Sequence, residues 1–403
     1  MAVDASTGLA RALLTVVLAA AFLAGCSSTT VRSTQITPIE TSTEPLPEHL
    51  LPDVGIDLFT TELDSDDSDI ISPVMHRAEE RYFPFVLSET LQKTGEWGVV
   101  RVNPGQRSQA DVYVSGVIRR SDGERLKLTV TASDATGYEW FERTYEGTAS
   151  RFAYDRSAAQ AREPFQGVYN RIANDLLEAR ARLDREELAR IRQIAELRFA
   201  ESFAPEVFDD YVEERNGRYR LVRLPAENDP YLERVRRVRE RDYLFVDTLQ
   251  DYYDSFALQM EGPYYDLRRE LLLETQELRK LRRDSTAQAV GGALAVLAGI
   301  LAQGSSSAVG RTAGVVGIGA GAVAIQRGMQ KRSEAAGYAD SIKEISRSFG
   351  SEVEPYRVEL EDRTVTLTGT VEQQYEKWQA LLREIYEAET GLPRTAGPES
   401  DQI

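Results

Sequence analysis

The sequence predicts an α+β chain. It reads as a small β-α-β-β-β-β domain, then a long α-helical region with an apolar Gly/Ala-rich helical hairpin, then a small C-terminal β-hairpin plus helix. Three observations predict this. Short runs with strand composition and alternation surround one stretch of helical periodicity between residues 54 and 145. From about residue 165 to 284 apolar residues recur at helical spacing among many charges. Beyond residue 356 one further alternating pair of runs precedes an amphipathic stretch.

In the first domain, residues 54–63 (VGIDLFTTEL) predict a strand. The acidic run 64–69 (DSDDSD) lacks the central glycine and the distal glutamate of a calcium loop, so a solvated turn is expected. Residues 73–93 predict an amphipathic helix with Val74, Ala78, Tyr82, Val86 and Leu91 near one face. Strands follow at 97–102, at 112–118 with Val112, Val114 and Ile118 on one face, at 126–132 with Leu126, Leu128, Val130 and Ala132, and at 138–145. Asp122-Gly123 between two of these runs predicts a tight hairpin, because a type I′ turn needs φ > 0. Asn103-Pro104-Gly105 and residues 134–137 predict further turns.

The segments Ala110-Asp111-Val112-Tyr113-Val114-Ser115-Gly116, Leu126-Lys127-Leu128-Thr129-Val130 and Asp134-Ala135-Thr136-Gly137 resemble a group of small periplasmic domains. These occur in the curli-secretion lipoprotein, in penicillin-binding-protein activator lipoproteins and at the N-terminus of the translocation protein TolB. The resemblance implies partner binding or the building of envelope assemblies, and it carries no active site.

In the helical region, Ile172, Leu176 and Ala179 form one stripe, and Leu188, Ile191, Ala195 and Leu197 another. A strand-like insert is expected at 218–224. Asn228-Asp229-Pro230 predicts a helix start, with the helix running to about Met260. Gly262-Pro263 predicts a break before a second helix over 264–283. The rings of Tyr243, Phe245, Tyr252, Tyr253, Phe256, Tyr264 and Tyr265 fit either a sugar- or peptide-binding surface or packing between long helices.

Residues 287–325 hold two apolar stretches separated by Gly304-Ser305-Ser306-Ser307. Small residues recur every four positions at Ala287, Gly291, Ala295 and Gly299, and again at Ala313, Gly317 and Gly321 beside Gly310 and Gly314. Such a stripe lets helix backbones approach closely. Gly291, Gly299, Gly310, Gly314, Gly317 and Gly321 are therefore the candidate membrane or oligomer contacts, against the alternative of a soluble buried hairpin. Each stretch has a helical length of roughly 26 Å, marginal for a bilayer. Arg279, Lys280, Arg282 and Arg283 precede the segment and Arg327, Lys331 and Arg332 follow it, while Arg311 inside it disfavours an isolated span. The segment resembles the glycine-zipper two-helix segments of bacterial envelope lipoproteins. Gly317-Ile318-Gly319-Ala320-Gly321 lacks the βαβ context of a dinucleotide loop.

At the C-terminus, residues 356–370 predict a hairpin, followed by a helix with Tyr375, Trp378, Leu381, Leu382 and Ile385 on its apolar face. The run Thr364-Val365-Thr366-Leu367-Thr368-Gly369-Thr370-Val371 resembles part of a BON-type module, which implies contact with phospholipid.

Composition narrows the chemistry. The 403 residues carry a formal net charge of -17, which repels phosphate backbones and argues against a nucleic-acid partner. There is one cysteine, Cys26, and two histidines, His49 and His76. No internal disulfide or multi-cysteine metal site is available, and most histidine-based catalysis is removed. No catalytic or metal residue and no cofactor is expected.

Arg11, the apolar run 12–24, Gly25 and Cys26 read as a signal sequence, since the run is too short for a spanning helix of about 20 residues. Leu23-Ala24-Gly25-Cys26 resembles a bacterial lipobox, which implies lipid on the Cys26 thiol and cleavage before it. Ser27 after the cysteine implies sorting to the outer membrane. The expected organisation is a signal peptide (1–25), a lipidated flexible tether (26–52), an α+β periplasmic domain (53–150), a helical domain (151–285), the Gly/Ala-rich hairpin (286–330), a C-terminal α/β unit (331–392) and a disordered tail (393–403). The functional expectation is a lipid-anchored structural, assembly or partner-binding factor at the periplasmic face of the outer membrane. Membrane lipid through Cys26 and an envelope protein or a second copy are its expected partners. The alternatives are a periplasmic cell-wall or lipid hydrolase and a subunit of an envelope secretion or channel assembly.

Overall fold

The alternating residues of the first domain dictate a half-covered sheet, and the computed structural model contains it. The structure describes residues 29–33, 37–63, 73–105, 110–154, 163–284, 354–359 and 363–390, with single positions between 337 and 348. Strands β1 (Thr29–Ser33), β2 (Val54–Ile56), β3 (Thr60–Thr61), β4 (Val100–Val102), β5 (Val112–Ser121), β6 (Arg125–Asp134) and β7 (Glu139–Thr148) form one mixed sheet. Its order is β1-β7-β6-β5-β2-β4, with β3 beside β5 beyond the end of β2. The run β5-β6-β7 is an antiparallel meander, whereas β2 and β3 lie parallel to β5, β4 parallel to β2 and β1 parallel to β7. The architecture is α+β, as the sequence predicts.

Helix α1 (Pro73–Gln92) connects β3 to β4 and buries Ala78, Tyr82, Phe83, Leu87 and Leu91. These join Val112, Val114, Ile118, Leu126, Leu128 and Val130 in one core. Pro84 lies inside the helix and has no N–H to give the carbonyl four residues back. That carbonyl, Glu80 O, accepts instead from Phe59 N at 2.9 Å. The borrowed bond coincides with a break in the expected strand 54–63. Asp57 N and Glu62 N still reach β5 carbonyls, but Phe59 turns its amide to the helix and its ring into the core.

Helices α2 (Gln166–Ala181) and α3 (Arg185–Phe203) follow, the second started by a capping box between Asp184 and Glu187. A single turn, α4 (Pro205–Phe208), leads to a hairpin of β8 (Val212–Arg215) and β9 (Arg218–Leu221). The expected lone insert at 218–224 is thus half of a hairpin. Its turn is Asn216-Gly217, both at positive φ, as a type I′ turn requires.

Helix α5 (Pro230–Asp284) contains 55 residues, a length of about 82 Å. Asp229 starts it by accepting from the amides of Tyr231 and Leu232. The break expected at Gly262-Pro263 does not occur, and Pro263 is inside the helix. Met260 and Tyr264, on either side, are fully buried, so packing outweighs the local penalty of the proline. Strands β10 (Tyr356–Glu359) and β11 (Thr364–Leu367) form the expected C-terminal hairpin, and α6 (Val371–Thr390) is the expected helix.

The stretches expected as separate units at 53–150, 151–285 and 331–392 share one continuous hydrophobic core. Helix α5 joins them. One part of it sets Phe245 against Tyr356 and Trp378, and a later part sets Tyr264 against Tyr82. Phe245, Tyr253, Phe256, Tyr264 and Tyr265 are buried, so these rings serve packing. The segment expected as a flexible tether is also tied down in part. Residues 29–33 form β1, Asn170 and Asn174 of α2 donate to the carbonyls of Thr37 and Pro38, and Ser42 N donates to Glu96. Its composition lacks core residues, but its backbone groups find polar side chains. The signal sequence, the acidic run 64–69, the Gly/Ala-rich segment and the tail lie outside the described residues.

Candidate functional site

Among the described residues, polar groups concentrate in an internal cluster beneath the sheet and in a cleft beside the C-terminal helix. The internal cluster centres on Glu79 of α1, which is fully buried. Its Oε1 accepts from Ser121 Oγ at 2.6 Å and from the Tyr264 hydroxyl, and its Oε2 from His76 Nδ1 at 2.9 Å. Next to it Arg268 of α5 donates to both oxygens of Glu163, at 2.6 and 2.8 Å, and stacks on the Tyr264 ring. Burial, and after it the charge of Glu79, raises the Tyr264 phenol far above its usual range, so it remains a donor.

Serine, histidine and glutamate together invite a catalytic reading. Nucleophilic catalysis requires the imidazole to take the serine proton. Here Ser121 and His76 each bond to Glu79, and among the described residues no hydrogen bond joins them. The carboxylate sits where the imidazole is needed. The cluster fastens α1, the end of β5 and α5 together.

The cleft has a volume of about 870 Å³. It lies between the broken strand β2–β3, the turn after β4, the middle of β5 and helix α6. Its polar lining includes Asp57, Asn103, Glu372, Glu376, Gln379 and Arg383. Asn103 Nδ2 donates to Asp57 at 2.7 Å, and burial pushes the Asp57 carboxyl up despite that bond. Donors, acceptors and both signs of charge line this wall, which suits hydrogen bonding to a polypeptide segment.

No family model and no curated protein sequence matches the chain.

The sequence-based candidates Cys26, Gly291, Gly299, Gly310, Gly314, Gly317 and Gly321 lie outside the described residues. Among the described residues no helix is long and apolar enough to cross a membrane. Among the same residues no three carboxylates, histidines or cysteines are grouped to hold a metal ion. Sequence reasoning missed the cleft because its walls come from positions 57 and 379, brought together only by the shared core. It also missed Asp111 as a positioning group. This carboxylate accepts from Asp53 N, while Asp53 O accepts from the amides of Asp111 and Val112, which locks β2 to the start of β5.

Proposed function

We propose that the chain is a lipid-anchored cell-envelope protein acting as a structural, assembly or partner-binding factor at the periplasmic face of the outer membrane, without catalysis. The observation that carries this reading is the placement of the sole cysteine, Cys26, directly after Leu23-Ala24-Gly25 and a short apolar run. Several acyl chains on that residue would anchor firmly, since each buried methylene contributes about 0.8 kcal/mol.

The fold adds a constraint. Strand β1 begins three residues after Cys26, at Thr29. An anchor there holds the sheet edge within about 10 Å of the lipid. The body therefore rests at the membrane surface with little stand-off. The described part of helix α5 reaches Asp284, immediately before the Gly/Ala-rich segment, so a second membrane or self-association contact would follow directly on the longest helix among the described residues. Deleting 287–325 should weaken oligomerisation or membrane retention.

In this reading the cleft beside α6 receives a partner. A photoreactive residue at Ala380, in the cleft wall, tests it in intact cells against one at Leu258, an exposed position elsewhere on α5. The expected result is a discrete adduct from position 380 that is absent from position 258 and absent when Cys26→Ser releases the chain. Equal labelling from both positions, or none from position 380, would remove the cleft from the account.

A further inference from the structure

A second cleft, of about 400 Å³, opens where the β6–β7 turn, the α2–α3 junction and the β8–β9 hairpin meet. Tyr219 N donates to Thr136 O at 2.8 Å and fixes the hairpin against the turn. The walls combine Tyr138 and Trp140 with the apolar Leu183 and Ile191. Tyr138 is half exposed.

The charges in this cleft are unequal in availability. Asp134 is spent internally: Oδ1 accepts from Thr136 N at 2.8 Å and Oδ2 from Trp140 Nε1 at 2.8 Å. Glu187 closes the capping box of α3, with Oε2 accepting from Asp184 N at 2.9 Å. Arg182 is paired with Glu178. Arg190 and Arg218 remain. Both line the cleft and are exposed, and among the described residues neither has a carboxylate within ion-pair distance. Arg218 lies over the Tyr138 ring, 4.6 Å from its centroid, which holds the guanidinium at the rim. Two guanidiniums without an ion pair among the described residues thus line one cleft of a chain of net charge -17.

We propose that this cleft binds the terminal carboxylate of a peptide, with Arg190 and Arg218 on the carboxylate and the last side chains packed on Tyr138, Trp140 and Leu183. Guanidinium groups pair with carboxylates in a planar, bidentate manner, and the volume suits two residues. The carboxylates of Asp134 and Glu187 remain in the cleft, but both Asp134 oxygens and Glu187 Oε2 already accept from the chain itself; an ammonium would have to compete with those donors, so the ligand is the end of a chain in preference to a free dipeptide. The inference stands without the lipid anchor and without the cleft beside α6.

The test is a titration of the purified full-length chain with N-acetyl-leucyl-phenylalanine, its C-terminal amide and the unacetylated dipeptide, read by tryptophan fluorescence. The acetylated acid should bind in the millimolar range or tighter, about tenfold more tightly than the amide. It should bind at least as well as the unacetylated dipeptide, and more weakly as salt rises. Arg190→Gln and Arg218→Gln should each weaken it about fivefold or more with melting temperature unchanged, and Trp140→Phe should remove the signal. Equal affinity for acid and amide, indifference to both arginine substitutions, or no saturable response would overturn the proposal. Preference for the unacetylated dipeptide would overturn the chain-end assignment.

Discussion

The side-chain amide of Gln250 makes with Val102 the two hydrogen bonds that a neighbouring strand would make. Its Oε1 accepts from Val102 N at 2.9 Å and its Nε2 donates to Val102 O at 3.0 Å. Val102 ends β4, the last strand in the sheet order, so a helix residue closes an edge that would otherwise offer free backbone groups. Arg101 and Asp247 pair alongside at 2.6 Å. Gln250→Ala should lower stability by about 1–3 kcal/mol, the cost of stranding one donor and one acceptor. Chemical denaturation measures the loss, and light scattering should show self-association through the opened edge. An unchanged unfolding midpoint would mean that water replaces the amide without cost.

The Arg268–Glu163 pair joins α5 to the segment before α2 with both side chains almost wholly buried. Glu163→Gln leaves the guanidinium inside without its counter-charge, at a cost of about 3–5 kcal/mol. Adding Arg268→Met should recover a large part of that loss. Urea denaturation of the two variants gives the comparison, and a double variant no better than the single one would contradict the assignment.

Gly123 in the β5–β6 turn has φ +77°, and a Cβ there would collide with the backbone carbonyl of Arg268 in α5. Gly95 has φ +67° with open space around it. Both positions strain an alanine, but only the first also crowds a helix. Gly123→Ala should therefore destabilise clearly more than Gly95→Ala in thermal unfolding. Equal losses would show that α5 yields at this crossing.

These positions mark how far the sequence is legible. Asp122-Gly123 announces its hairpin, although only Gly123 takes a positive φ and the loop spans 122–124 in place of a two-residue type I′ turn; the Val112 and Leu126 alternations announce their strands, because turn chemistry and burial act over a few residues. The crossing of α5 over Gly123 depends on positions 145 residues apart, and no local signal carries it. Gly262-Pro263 is the converse case. Its local signal is correct physics, yet burial of Met260 and Tyr264 outweighs it. Hairpin β8–β9 was within reach, since Asn216-Gly217 is as strong a turn signal as Asp122-Gly123, but the charged run Glu213-Glu214-Arg215 hides the first strand. Of the candidate sites, both clefts are assembled from distant segments, so only their single residues, and none of their geometry, could be read in advance.

Asp242 of α5 accepts from Gln379 of α6 at 2.6 Å and is almost wholly buried. Burial raises its carboxyl to about 7 from 3.8. Between those values the folded chain keeps a proton that the unfolded chain releases. The stability contributed by this group is complete below about pH 4 and is lost as pH rises through about 7. Asp111, raised by burial to about 6, acts in the same sense. Asp242→Asn should flatten the fall in melting temperature between about pH 4 and about pH 7. A parallel fall in the variant would show that Asp242 ionises freely in the folded protein.

Most directly, the account rests on the chemistry of one thiol. Mass spectrometry of the N-terminal peptide of the protein isolated from its own cells decides it. The account predicts a chain that starts at Cys26 with fatty acyl groups attached, recovered with the outer membrane, and a Cys26→Ser form that lacks them. An unprocessed, unacylated chain recovered from the soluble cell interior would contradict it.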